Sequence, residues 1–237
     1  MKNRDILNLH IHYMFNKVTI IILATTIILL IFMTLGEVNA IDKSQSYYTN
    51  IIIYFQSTFL YYKLFLSFIT IFLFFNAMQQ KSDFVIYFLM ASGITKKKSI
   101  IIKIGVLFAI VFTLVVICFI IYSYSGELLI GFHIIKKYIT AFLNLFLLTC
   151  FYGLFTMLLM QIVNNYLVII IPIAILIITS DINYSLDLSI FLKILILIAP
   201  NLMPNGAYYY SYVVVIAYLL FLFVINVIIY CHRDLNY

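Results

Sequence analysis

Few side chains in this 237-residue chain have the types and spacing that could do chemistry. The most basic run, GITKKKS from Gly93, has the lysines of a phosphate-binding loop. It lacks the second glycine that lets a backbone wrap phosphate, so the chain cannot hydrolyse ATP by that route. The tail from His232, HRDLNY, matches part of a phosphotransfer catalytic loop, but no glycine-rich loop or Asp-Phe-Gly accompanies it. Arg233 and Asp234 more simply close a last helix at an interface. His10 and His12 stand two apart, so a helix points them to different faces and they form no metal pair. Cys118, Cys150 and Cys231 are odd in number and follow no zinc spacing or disulfide framework, which leaves them as small apolar packing residues. No catalytic, cofactor-binding or metal-binding residue is assigned, and the chain is not expected to be an enzyme by itself.

The surrounding elements explain this poverty. Hydrophobic residues make up 66% of the chain and charged residues 9%, too little charge for a water-soluble core of this size. Six apolar runs have roughly the length that spans a bilayer, about 20 residues at about 1.5 Å of rise across about 30 Å. They are 18–35, 51–75, 104–122, 138–160, 166–179 and 213–230. The fifth is short, so it is tilted, begins earlier, or ends inside the membrane. A further apolar stretch, 190–199, is too short to span and reads as a re-entrant or interfacial helix. Residues 1–17 read as an interfacial helix, with Leu7, Ile11, Met14 and Phe15 at helical spacing. Val38-Asn39-Ala40 resembles a cleavage site, but the leading segment is long and contains Asp5. The first span is therefore read as uncleaved. The expected fold class is an all-α integral membrane protein, one transmembrane domain over 1–237, with six helices and a re-entrant segment within 180–212.

Loop charges orient it. Lys2, Arg4, Lys17, Lys81, Lys96, Lys97, Lys98, Lys103 and Arg233 fall on one face. Lys43, Lys136, Lys137 and Lys193 fall on the other, with most of the acids. Nine cations against four place both termini in the cytoplasm of a multi-pass cell-membrane protein. The net charge of +6 then reflects topology and anionic headgroups, and no nucleic-acid partner is needed to explain it.

The main cytoplasmic segment, 76–103, carries the functional expectation. Asp83 can start a short helix by meeting free N–H groups. Residues 84–92 are too apolar for a solvated connector, and Gly93 can end the helix in the left-handed conformation. Lys96, Lys97 and Lys98 then hold the re-entry point at the headgroups. Two readings stand side by side: an interfacial turn that anchors lipid, or a helix that docks into a groove on a cytoplasmic partner.

An entry helix, two spans, a short helix ending in small and basic residues, then a long third span resembles the permease subunits of ABC exporters of the ABC-2 type. SDFVIYFLMASGITKKKSIIIKIG occupies the place of that family's coupling helix, and the broken segment from Ser180 to Ser211 is similar to its outer re-entrant hairpin. The resemblance is architectural and covers nearly the whole chain. One departure is that the only acid in the cytoplasmic loop is Asp83, where the family often has an early Glu. The loop also resembles FtsX-like permeases, which usually carry a large extracytoplasmic domain. The resemblance implies docking by Asp83, Phe84, Tyr87, Phe88 and Met90, with Gly93 as terminator. It further implies separate ABC ATPase subunits that hold ATP and Mg, a second permease copy or paralogue, and amphipathic or hydrophobic peptides of bacteriocin or toxin type as cargo. The bacterial cell membrane is the expected location. A non-transporting scaffold or sensor is the competing class. A passive channel is disfavoured because no filter-like ring of charges or carbonyls is evident.

Lys63 is the one ionisable residue well inside an expected span, where it costs about 2.5–3.5 kcal/mol. Either its span starts near Thr58 and Lys63 snorkels outward, the favoured reading, or it faces a wet cavity. Tyrosines such as Tyr54, Tyr61, Tyr62, Tyr122 and Tyr124 concentrate toward the outer side. They read as an aromatic belt, with some lining an outer vestibule. Pro172 is expected to loosen the fifth helix by removing a backbone donor.

Overall fold

Isoleucine-, phenylalanine- and threonine-rich runs would favour strands in water. In hydrocarbon every backbone N–H must be satisfied within its own segment, and the helix does this. A computed structural model describes residues 17–39, 47–78, 89–91, 93–130, 136–163, 165–180 and 212–232, with Asn8 and Ile11. Among these residues all regular structure is helical. We label the helices α1 (Lys17–Asn39), α2 (Tyr47–Ala77), α3 (Lys96–Ile130), α4 (Lys136–Val163), α5 (Ile170–Ser180) and α6 (Tyr212–His232). A 3₁₀ turn, Tyr166–Ile169, leads into α5. Five of the helices are long and apolar enough to cross a membrane. The stretch Tyr166–Thr179 is not. Five of the six expected spans thus have the length for a crossing, and the described part of the fifth does not. The expected re-entrant segment lies outside the described residues. So does the interfacial helix, apart from Asn8 and Ile11, which are helical and exposed.

Side-chain contacts fix the directions. On α1 and α2, Thr34 meets Tyr62 and Glu37 meets Tyr61, so these helices are antiparallel. Tyr54 stacks on Tyr122, and Phe74 meets Phe108, so α3 also opposes α2. Phe59 meets Phe142, and the Phe74 ring covers Gly153, so α4 runs parallel to α2. Phe151 meets Tyr218, and Gln161 meets Asn226, so α6 runs parallel to α4. Lys17, Ala77, Lys96, Val163 and His232 therefore share one end of the bundle.

The centre is α2 and α4. Buried positions make up 67% of the apolar window in α2 and 61% in α4, against 22% in α1 and 28% in α6, which present apolar faces outward. That outward apolarity is what lipid contact requires. Threonine hydroxyls inside the spans are mostly returned to the carbonyl four residues back. Thr26, Thr34, Thr70, Thr113, Thr149 and Thr156 all do this, so their polarity is absorbed locally.

Candidate functional site

The segment before α3 reaches it through a tight corner. Residues 89–91 are helical. Gly93 has φ +82°, its N–H donates to the Met90 carbonyl at 2.9 Å, and the Ile94 N–H donates to the Leu89 carbonyl at 3.0 Å. This pair of bonds around a left-handed residue is a Schellman cap, and Gly93 ends the helix as its sequence predicts. The cap brings its usual apolar contact. Leu89 and Ile94 are buried together against Ile102 of α3, as a small cluster separate from the main core. Ile102 also packs on the main core and so joins the two. Thr95 then caps α3. Its hydroxyl accepts from the Lys98 N–H at 3.3 Å, and its carbonyl accepts from the Ser99 N–H at 3.1 Å.

Of the residues expected to dock a partner, Met90 is 39% exposed on this corner. Asp83, Phe84, Tyr87 and Phe88 lie outside the described residues. Lys96, Lys97 and Lys98 form the first turn of α3, with Lys97 and Lys98 exposed. Cations at a helix N-terminus oppose the macrodipole, so helix stability does not account for three of them. Sequence reading missed Leu89 and Ile94, although two apolar residues bracketing a glycine at this spacing are the signature of such a cap. It also left Lys103 in the loop. The residue lies inside α3 and is buried, because α3 starts eight residues before its apolar run.

Lys63 corrects the favoured expectation. The helix carrying it begins at Tyr47, not near Thr58, so Lys63 stands midway along both α2 and its apolar span. It is 5% exposed. A side chain so placed is held within the bundle and does not snorkel.

The tyrosines need a second correction. Tyr54, Tyr62 and Tyr122 are fully buried, so they belong to neither a belt nor an open vestibule. Tyr54 stacks on Tyr122 at 5.0 Å and donates its hydroxyl to the Tyr122 carbonyl at 3.2 Å. The Tyr62 and Thr34 hydroxyls are 2.7 Å apart. Phe142 receives Phe59, Tyr62, Phe119 and Tyr122 edge-on or tilted. This aromatic cluster locks α2, α3 and α4 together in the half of the bundle remote from Gly93. Tyr124, in contrast, is exposed, as a belt residue would be.

No known protein family, curated protein or solved structure matches the chain. At the end near Gly93, α4 and α6 are tied by polar side chains. Asn226 donates to the Leu154 carbonyl at 3.0 Å and to Leu222 at 2.8 Å, while Gln161 donates to the Asn226 side chain at 3.2 Å. Such ties hold helices in register in a medium that offers no hydrophobic drive. Among the described residues no three of His, Cys, Asp and Glu gather into a metal-binding group. Cys118 and Cys150 are buried and Cys231 is half-buried, all as free thiols.

Proposed function

We propose that this chain is the membrane-spanning subunit of an ATP-driven exporter of the ABC-2 type, moving amphipathic or hydrophobic peptides out of the cell or its membrane. The observation that carries the reading is the capped corner at Leu89–Thr95, which joins an apolar cytoplasmic segment to a long membrane helix. A bundle with no phosphate loop of its own needs such an attachment if work is to enter it from another polypeptide. Separate ATPase subunits supply that work, binding ATP and Mg, and a second permease copy or paralogue completes the pathway. The end with Lys17, Lys96, Lys97, Lys98 and both termini faces the bacterial cytoplasm, where basic residues are retained. The three lysines that start α3 meet anionic headgroups there. Six crossings, the fifth made partly by α5, and a re-entrant segment within 180–212 complete the architecture. Alternation between two arrangements of paired bundles moves the cargo.

The test is co-purification. Tyr87→Asp with Phe88→Asp, at the proposed dock, should detach the ATPase and abolish ATP-dependent peptide transport in reconstituted vesicles. An ATPase that stays bound to the double variant overturns the docking assignment. Transport without any ATPase overturns the exporter.

A further inference from the structure

The corner at Gly93 does more than end a helix. Only Ile94 and Thr95 separate it from α3, and each side of the turn is fastened. Two Schellman bonds close the helical residues 89–91, and Thr95 caps the first turn of α3. The angle between them is held by Leu89 and Ile94 buried on Ile102. Loops joined by backbone alone hinge freely, whereas a joint with its own apolar core has one packed arrangement. From Ile102, α3 runs unbroken to Tyr122, about 30 Å at helical rise. There Phe119 and Tyr122 enter the aromatic cluster with Tyr54 and Phe142.

We propose that Leu89, Ile94 and Ile102 form a rigid elbow that makes α3 a lever, carrying displacement of the cytoplasmic segment directly to the outer aromatic cluster. The elbow is a property of this chain alone, and the lever rests on the exporter reading. Leu89 and Ile94 are positioning residues that touch neither cargo nor nucleotide. Leu89 and Ile94 themselves lie outside the main core and reach it only through Ile102, so truncating them should leave the bundle intact. A rocking bundle driven equally through α2 and α3 would not depend on them.

Spin labels at the exposed positions Ala91 and Ala109, read by pulsed EPR on the full chain in lipid nanodiscs, test the elbow. The otherwise unaltered chain should give one narrow distance distribution. Leu89→Ala with Ile94→Ala should broaden it, and Leu89→Met should restore it beside a native Ile94. A broad distribution without the alanine changes overturns the elbow. The lever is tested in vesicles containing the chain with its co-purified ATPase. The double alanine variant should keep the ATPase bound and hydrolysing ATP while peptide efflux is lost. Undiminished efflux from a variant with a broadened distribution overturns the lever. If no ATPase accompanies the unaltered chain, the exporter reading falls and the lever with it, while the distance distribution still decides the elbow.

Discussion

Gly153 has no room for even a methyl group. A Cβ there would lie 2.6 Å from the Phe74 ring, and Phe74 is itself fully buried between helices. Here glycine serves close approach of α2 and α4, since its position in α4 is ordinary helix. Gly153→Ala should cost about 1–3 kcal/mol by overpacking, despite alanine's better helix propensity. Thermal unfolding in detergent would measure it, and Phe74→Leu should recover most of the loss, since the two sites share one contact. Gly93 is the opposite case. Nothing lies within 4 Å of a Cβ there, and its φ of +82° alone demands glycine. The sequence announces Gly93, because a glycine between an apolar helix and a basic run has a local reason. It is silent on Gly153, whose reason is a ring 79 positions away. Lys63 was misread for the same cause: its depth depends on where α2 begins, and its burial depends on what packs around it.

At the scale of elements, α5 is the informative one. Its last described turn carries Thr179, whose hydroxyl lies 3.1 Å from that of Tyr152, about midway along α4. From the 3₁₀ turn beside Phe75, the described part of α5 thus reaches the middle of the bundle. Pro172 lies in the first turn of α5, directly after the 3₁₀ turn, where a missing N–H costs little. The Tyr152–Thr179 contact ties the described part of α5 to α4. Tyr152→Phe should cost about 0.6–1.7 kcal/mol. It should also raise amide hydrogen exchange in 176–180 while leaving α2 and α4 protected, which mass spectrometry would resolve by segment. Uniform exchange across all three helices would show that α5 is held by something other than this bond.

For the whole molecule, the alternation of helix directions puts Lys98 and Lys136 at opposite ends of the bundle. In intact cells a membrane-impermeant thiol reagent should modify Lys136→Cys and spare Lys98→Cys, in a background without Cys118, Cys150 and Cys231. The reverse pattern would invert the proposed orientation and put the proposed docking segment out of reach of any cytoplasmic ATPase. Much of this architecture is legible in the chain. Apolar run length, the scarcity of charge and the grouping of lysines act through solvent, residue by residue, and the bilayer reads them before any two helices meet. Those local terms determined that the protein is helical, that it belongs in a membrane, and that the helix before α3 ends at Gly93. Only the tertiary structure decided that α2 and α4 are central and α1 peripheral, that Tyr54, Tyr62 and Tyr122 are core and not belt, and that Lys63 is enclosed. In every such case the deciding quantity is which side chain lies across an interface. All faces of these helices are apolar, so no periodicity in the sequence distinguishes the face that meets lipid from the face that meets protein.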